Sequence, residues 1–446
     1  MSEVTSPTPW LTTATEDARD TVAEPSAPAR GRVVARFSAV AGAFARAVDR
    51  ALLVRPRDLT HCANSGALLV VATQKGAHLC SRAQRYASYV PLDGLIEIAV
   101  EGVFTVPTRH LSCIAKLSPN TRIMFETHDQ GDRKFVYRCD FGCRSGVEHT
   151  TFDPALVTSC ERDLSAGTEV ASISAPVLRD ALDTVGPFIG AGGDDRLVIE
   201  PGRIVAGSPT CACVFRSNGV SGNLSIPVGP LRLLREFATQ GQGIISMRAS
   251  GNLMFAVTDC GEGIGWSAHE VSLPSFREYP AARDAIIVHA ETADLRWTLG
   301  FMRREASPGT DLALALVPEG VIVRATLWGG SLEMRVRPGT SPTRPRGSGA
   351  TASVRVTPEA LARLVDRVRA PVVELRLATT SSSAVLRVRE RRPYRGGGST
   401  GVACTITRYA VVALAARSVE HGAASTDAAR RAPPTTTRDP KDDNAQ

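Results

Sequence analysis

Hydrophobic positions first alternate and then shift to helical spacing in residues 352–370. Val354 and Val356 fall on one side of a strand by alternation. Thr357 follows at the position of a helix N-cap, and Pro358 stands at the first helical position. The pattern predicts a strand that leads through a cap directly into a short helix.

The predicted helix has an apolar side and a cationic side. The apolar positions at helical spacing are Leu361, Leu364, Val365 and Val368. The cations on the other side are Arg363, Arg367 and Arg369. One strand and one such helix cannot bury their own apolar faces, so the unit is expected to need neighbours of its own kind.

The same strand-to-helix unit occurs six times. It is found in residues 33–50, 103–119, 170–185, 224–238, 286–304 and 352–370. The starts fall at near-even intervals, and a near-fixed period is the signature of a repeat architecture. The alternative is that these are the ordinary strand–helix junctions of any α+β protein.

Short β-branched runs, separated by Gly, Asn, Asp or Pro, fill the chain between these units and predict antiparallel strands. Residues 248–253 and 317–321 have the composition of hairpin turns. Each repeat is therefore one strand, one helix and about three more strands, and two repeats together make a domain with two helices against sheets. We predict an α+β fold of three similar domains. The predicted segments are a disordered tail at 1–31, domains at 32–164, 165–282 and 283–417, and a second disordered tail at 418–446.

Two segments depart from the repeat and predict long, flexible, basic loops. They are residues 338–351 and 391–400. The junctions between the predicted domains fall at Leu164 to Thr168 and at Pro280 to Asp284.

The formal net charge of +7 permits a polyanionic partner without requiring one. An Arg-rich and Ala-rich composition also arises from a GC-rich genome, so the placement of the cations carries more weight than their sum. We predict that cations on the non-core faces of the six helices face DNA. They are Arg46, Arg50, Arg109, Lys116, Arg179, Arg232, Arg235, Arg296, Arg303, Arg304, Arg363 and Arg367. Such contacts give affinity for phosphates without base specificity.

The candidates for catalysis or metal binding are weak. Cys139, Cys143 and His149 have no evident fourth ligand, and buried reduced thiols are the alternative. Thr258 and Asp259, with Glu262 and His269, form a polar cluster in sequence that hairpin loops also produce. The glycine-rich run 396–401 lacks the Lys and the helix of a phosphate loop. We therefore expect no catalytic residue, no metal and no cofactor.

Several stretches resemble one bacterial family. Residues 273–280, Leu-Pro-Ser-Phe-Arg-Glu-Tyr-Pro, look like the family's F-P-D-Y-R segment before the third domain. Residues 224–237 look like its strand-then-helix I-P-x-K-x-L-x-E-L, and residues 104–117 match the equivalent unit of its first domain. The family is the DNA polymerase III beta subunit, the sliding clamp, and the resemblance covers roughly residues 32–417.

The resemblance implies a pocket for the linear peptide motif of polymerases and clamp loaders. Its residues would be Thr210, Pro280, Val411, Val412 and Leu414. Two of the family's pocket stretches are altered. Residues 207–212 do not carry T-D-G-H-R-L, and residues 409–417 replace the family's final V-M-P-M-R-L-like strand. We expect the pocket to bind the usual peptide more weakly or with changed preference.

The function that the resemblance implies is a non-catalytic processivity factor. Two chains would close head to tail into a ring around double-stranded DNA, with the helices lining the hole, and an ATP-driven loader would open it. The alternative is a divergent clamp-fold scaffold that binds protein partners without encircling DNA, and an enzyme is a more distant third. The N-terminus lacks a basic segment followed by an apolar one, so we expect a cytoplasmic, nucleoid-associated protein without a membrane partner.

Overall fold

The computed structural model describes residues 31–54, 67–83, 85–107, 114–131, 135–140, 147–151, 164, 167–190, 196–208, 210–267, 285–306, 309–317, 319–327, 329–339, 352–379, 384–392 and 404–414. The two predicted tails lie outside these residues, apart from Gly31. The chain divides into two units. One contains Met1–Ala166 and Cys260–Ser267, and the other contains Gly167–Asp259 and Ala268–Gln446.

A strand leads directly into an α-helix at five of the six predicted places. The pairs are β1 (Arg32–Val40) with α1 (Ala41–Ala51), β10 (Thr168–Ser174) with α2 (Ala175–Val185), β15 (Leu224–Pro227) with α3 (Val228–Gln240), β19 (Ile286–Glu291) with α4 (Thr292–Glu305), and β23 (Ala352–Val356) with α5 (Pro358–Val365). At the sixth place, β6 (Gly102–Pro107) is followed by a 3-10 turn at Ile114–Lys116, and residues 108–113 lie outside the described part.

The start of α5 shows how the local sequence forms this unit. Thr357 has extended backbone angles, and its hydroxyl oxygen accepts a hydrogen bond of 3.2 Å from the backbone N–H of Ala360. Pro358 occupies the first turn, where its missing N–H costs no hydrogen bond. Leu361 and Leu364 are buried, which confirms the predicted apolar side.

The first unit contains a five-stranded antiparallel sheet in the order β5-β1-β7-β8-β9 and a run of strands in the order β18-β4-β3-β2-β6. The remaining bounds are β2 (Ala67–Thr73), β3 (Gly76–Arg82), β4 (Tyr86–Pro91), β5 (Ile96–Val100), β7 (Arg122–Asp129), β8 (Phe135–Asp140), β9 (Val147–Thr151) and β18 (Gly263–Ser267). Phe37 and Phe125 stack at 4.8 Å between ring centroids, and Phe44 of α1 lies 5.2 Å from Phe125. These three rings join the helix to the five-stranded sheet.

The second unit contains the run β14-β10-β16-β17 and a twelve-stranded sheet. Its further bounds are β11 (Arg196–Glu200), β12 (Arg203–Ser208), β13 (Cys211–Arg216), β14 (Val220–Gly222), β16 (Ile244–Ser250), β17 (Leu253–Thr258), β20 (Leu312–Val317), β21 (Gly320–Leu327), β22 (Gly330–Val336), β24 (Val372–Thr379), β25 (Ala384–Arg392) and β26 (Cys404–Leu414). Helix α2 packs against α3, and α4 packs against α5.

Strand β26 holds the twelve-stranded sheet together. It pairs antiparallel with β13 on one side and with β25 on the other, and its last residues pair with β23. Strand β26 therefore connects the strands β15-β11-β12-β13 to the strands that follow β19. Residues near the end of β26 consequently lie beside residues that are about 200 positions earlier in sequence.

The structure confirms the mixed, strand-rich α+β fold and the hairpins at 248–253 and 317–321. It corrects the start of the loop predicted at 391–400, because Arg391 and Arg392 belong to β25 and Arg392 is buried, and residues 393–400 lie outside the described part. In the other predicted loop, Pro338 bridges Ala290, and residues 340–351 lie outside the described part. The division into three domains at 164–168 and 280–284 stays a prediction.

Candidate nucleic-acid interface and partner groove

Helix α1 presents one exposed cation and one paired cation. Phe44 and Val48 are buried on its inner side, which leaves Arg46 exposed to solvent. Arg50 is half-buried and forms an ion pair with Glu262. The charge of Arg50 is therefore balanced within its own unit.

Helices α2 and α3 divide in the same way. Arg179 is exposed. Arg232 pairs with Glu236 one turn later at 3.2 Å, and the Arg235 Nε lies 2.5 Å from Asp183 of α2. Arg235 thus joins α3 to α2, and its charge is paired with that of Asp183.

The cations that follow in α4 and after α5 include two that hold the backbone. The Arg296 guanidinium donates to the carbonyl oxygens of Val365 and Val368. Arg367 Nη1 donates to the carbonyl oxygen of Asp183 at 3.1 Å. These two side chains cap carbonyl groups at the end of α2 and after α5, so each has a structural task besides its charge.

Six of the predicted DNA-facing cations are exposed and form no ion pair with another residue that the structure describes. They are Arg46, Lys116, Arg179, Arg303, Arg304 and Arg363. Arg109 lies outside the described residues. The predicted set therefore separates into two groups. The first has no ion pair among the described residues and is available to a polyanion, and the second bonds to carboxylate or carbonyl groups of the protein.

A buried ionic network connects α2 to strands β25 and β26. Glu390 and Arg408 have side chains with 0% exposure and approach to 3.1 Å, and Arg392 Nε lies 2.5 Å from the other oxygen of Glu390. Arg392 also pairs with Asp180 of α2 at 2.9 Å. Burial by itself raises the pKa of Glu390, but the hydrogen bond from Arg392 and the charge of Arg408 outweigh it and hold that pKa below its usual value.

The same network fixes the segment that follows α5. The backbone N–H groups of Arg369 and Ala370 donate to Glu390 Oε1 at 2.6 and 3.0 Å. The carbonyl oxygen of Arg367 accepts from Arg392 at 2.8 Å and from Arg408 at 3.3 Å. Most polar atoms of the paired charges are thus hydrogen-bonded, which helps to tolerate them in a core, while Arg408 Nε has no hydrogen-bond partner among the described residues.

A cleft of about 940 Å³ lies beside this network. It is bounded by the end of α2, the start of α4 and residues 366–372, and both carboxylates and guanidinium groups line it. Arg296 and Arg367 contribute to its wall while donating to backbone carbonyls. The mixed charge of the lining indicates a hydrated gap between helices.

Four of the five predicted pocket residues lie next to the start of β13 or in the last part of β26, and two of them, Thr210 and Val411, are in contact. The backbone N–H of Val411 donates to the carbonyl oxygen of Thr210 at 2.8 Å. Val412 is buried, and the backbone of Leu414 pairs with Val354 of β23. Pro280 lies outside the described residues. Thr210 and Val411, from two distant stretches, therefore lie side by side, and the pocket itself stays a prediction.

Apolar side chains form the floor at this place. Half-buried Val411 packs against buried Val198, Val214, Val385 and Tyr409. We call the surface at Thr210 and Val411 the partner groove, and the predicted contribution of Val412 and Leu414 to it stays a prediction. Its partly exposed valine over an apolar cluster is the kind of surface that an apolar anchor of a peptide binds.

The thiols beside the groove are protonated. Burial raises the pKa of the Cys211 thiol, and the charge of Arg363 acts in the opposite direction, so Arg363 lies within electrostatic range of the groove. Burial raises the pKa of Cys213 to about 12. A neutral buried thiol is a poor nucleophile and a poor metal ligand.

The other candidate chemical groups have structural partners. Asp259 Oδ2 accepts from the backbone N–H of Ile244 at 2.9 Å, and Glu262 pairs with Arg50. Cys139 is buried, while Cys143 and His269 lie outside the described residues. Within the described ranges, no group of three or more His, Cys, Asp or Glu side chains is arranged to hold a metal ion. Among the same residues, no helix has the length and apolarity needed to cross a membrane.

One exposed residue on α4 was not found by the sequence reasoning. Trp297 is 59% exposed, and its ring stacks on that of Phe301 at 5.7 Å. The apolar spacing of Leu295, Leu299 and Met302 places Trp297 on the polar face of the helix. A large aromatic residue at a polar-face position is the signal that would have revealed it.

Comparison with solved structures identifies the architecture. The sliding clamp (DNA polymerase III subunit beta) of Pseudomonas aeruginosa bound to griselimycin superposes with a TM-score of 0.61 and 16% identity, over 86% of this chain and 99% of that one. The Helicobacter pylori beta clamp in complex with 5-chloroisatin gives 0.63 and 12%, over 85% and 100%. The beta subunit from the DNA polymerase of Streptococcus pyogenes gives 0.62 and 11%, over 85% and 100%. No family model and no curated protein matches the sequence. The chain has the DNA clamp fold of these structures.

Proposed function

We propose that this chain is a DNA sliding clamp that encircles duplex DNA and tethers the replicative polymerase as its processivity factor. The observation that carries the proposal is the recurrence of free, exposed cations on α1, α2, α4 and α5 of a clamp fold. Cations on several separate helices suit a partner whose charge repeats along its length. Because they are long and exposed, they bind phosphates without reading bases.

The ring needs two copies of the chain. We propose that each contributes three similar domains, at 32–164, 165–282 and 283–417, and that two copies join head to tail. The helices would then line the hole, and the sheets would form the outside and the domain interfaces. Such a ring is held on DNA by topology, so its inner surface requires only weak contacts.

The partner groove is the proposed docking site for the linear peptide motif of the polymerase and of an ATP-driven clamp loader. Its exposed valine and apolar floor support this assignment. Arg363, within electrostatic range of Cys211, places a cation beside the groove and favours peptides with acidic residues near their apolar anchor. The proposed protein acts without catalysis or cofactor, in the cytoplasm at the nucleoid.

The second candidate is a clamp-fold scaffold that no longer encircles DNA. It is favoured by one observation, that the exposed Arg235, Arg296 and Arg367 bond to carboxylate or carbonyl groups of the protein. Size-exclusion chromatography with light scattering separates the two. We expect a mass of two chains at micromolar concentration for the ring, whereas a monomer at every concentration would favour the scaffold.

A further inference from the structure

The solvent-exposed face of α4 carries an aromatic pair that the clamp function proposed above does not use. Trp297 is 59% exposed, the most exposed of the large hydrophobic side chains in the described residues. The opposite side of the helix buries Leu295, Leu299 and Met302. The core side of α4 is therefore packed without Trp297, and tryptophan is enriched among the residues that dominate binding interfaces.

The geometry of the pair is that of a flat platform. Trp297 and Phe301 are one helical turn apart, with ring centroids 5.7 Å apart and planes inclined by 19°. Phe301 is half-buried and supports the indole from its own side of the helix. A ring held in this way loses little freedom when a second flat group stacks on it.

Gly300 leaves open space beside the platform. A Cβ atom at this position would meet no atom within 4 Å, and the backbone angle of Gly300 is not one that requires glycine. Glycine inside a helix is less favourable than alanine. Nothing in the described fold requires glycine at this position, and the missing side chain leaves room for a flat ligand against the helix next to Trp297.

Two exposed arginines follow Trp297 on the same helix. Arg304 lies seven residues after Trp297, two turns along the same side, and Arg303 lies about 100° from Arg304 around the helix, within reach of its long side chain. Both are exposed, and neither pairs with a carboxylate in the part of the chain that the structure describes. The order along the helix is an aromatic ring, the open space at Gly300 and two guanidinium groups. This order matches a nucleotide chain with a flat base followed by phosphates.

We propose that Trp297, Phe301 and Gly300, with Arg303 and Arg304, form a binding site for single-stranded nucleic acid. A base stacks on the Trp297 ring over the open space at Gly300, and the flanking phosphates contact the two arginines. Stacking on an aromatic side chain is open to any base, but only when that base is not already stacked in a duplex. The inference rests on the proposed function, since it assigns the site to the unpaired strand next to the duplex that the clamp holds.

Tryptophan fluorescence tests the proposal directly. Full-length protein is titrated at low salt with oligo(dT) of about 16 nucleotides, the upper site size for one binding module, and with a duplex of equal length. We expect the oligonucleotide, and not the duplex, to quench the emission to saturation. The sequence also contains Trp10, Trp266 and Trp328, so the assignment to Trp297 rests on the variant, and the quenching should disappear in Trp297→Ala.

Affinity for a labelled oligo(dT), measured by anisotropy, gives the second readout. We expect Trp297→Ala to weaken binding about tenfold, the effect of one lost stacking contact, and Trp297→Phe to retain most of the affinity. Gly300→Ala should weaken binding several-fold while raising Tm, since alanine favours the helix but fills the gap. Val228→Ala on α3 is the matched control, because Val228 is 51% exposed, and it should change nothing.

Two results would overturn the proposal. One is wild-type affinity for oligo(dT) in Trp297→Ala, and the other is a change of the oligomeric mass in that variant, which would make the face an interface between copies. The clamp function is tested separately by retention on circular duplex DNA. If the wild type fails that test yet shows quenching by oligo(dT), the ring fails and the single-strand site stands.

Discussion

The Arg392 guanidinium donates to both carboxylate oxygens of Asp180, at 2.9 and 3.2 Å, and so joins strand β25 to helix α2. Both side chains are almost fully buried. Removing one partner of a buried pair leaves a charge without compensation and costs about 3–5 kcal/mol of the free energy of unfolding. We expect Asp180→Ala to lose this amount in urea unfolding of the full chain.

The matched control for Asp180→Ala is Glu236→Ala, which breaks the exposed pair with Arg232. Exposed pairs contribute about 0–1 kcal/mol, so this variant should unfold close to the wild type. Equal losses in the two variants would contradict the assignment of a structural role to the buried network.

The network also predicts how stability depends on pH. The pKa of Glu390 is lowered in the folded protein, so its contribution to stability is present above the ordinary value of 4.5 and is lost as pH falls through the folded value. We expect the free energy of unfolding to drop below about pH 4.5, and we expect Glu390→Gln to reduce that drop. If the free energy of unfolding of Glu390→Gln follows that of the wild type at every pH in this range, Glu390 is excluded as a source of the loss of stability in acid.

The partner groove predicts a second set of variants. Val411→Asp and Leu414→Asp each place a carboxylate where an apolar anchor should bind, and each should weaken binding of the polymerase motif peptide at least about tenfold, the effect of losing one anchor. Isothermal titration measures the affinity. Ser331→Asp, on the exposed strand β22, is the control for added charge. Unchanged affinity in Leu414→Asp would place the peptide elsewhere.

Free and engaged arginines should behave differently. Arg46→Glu with Arg179→Glu should lower affinity for short duplex DNA and flatten its salt dependence, by about one unit of log–log slope for each lost contact. The melting temperature should stay near that of the wild type, because neither arginine pairs with a described residue. Arg235→Glu should instead lower Tm, because Arg235 joins α3 to Asp183. Filter binding at several salt concentrations checks the first expectation, and an unchanged slope would contradict it.

The sequence revealed the repeating elements because their apolar spacing is a local signal. The strand–cap–helix start at Thr357 and Pro358 was predicted and confirmed. The residues around Arg392 were misread as a loop, because a run of arginines gives no sign that distant carboxylates bury it. The pairing of β26 with β13, which brings Val411 to Thr210, also depends on contacts between distant residues that periodicity does not encode.

The candidate site was predicted unevenly for the same reason. The helical pattern separated core positions from exposed ones, and six of the predicted cations are exposed and free of ion pairs among the described residues. It did not distinguish them from Arg235 or Arg296, whose partners lie on other elements. Trp297 was not singled out because only the cations on the helix faces were considered, and an exposed aromatic residue carries no charge.

Retention on DNA of different topology tests the central claim most directly. The protein is loaded onto nicked circular plasmid with its ATP-driven loader, and gel filtration at high salt is run before and after the plasmid is linearised. The attraction between exposed charges is screened beyond about 8 Å at physiological ionic strength and beyond a shorter distance at high salt. Only a closed ring should therefore remain bound. We predict retention on the circle and release from the linear form. Equal retention on both forms, or on neither, would contradict a clamp held by topology.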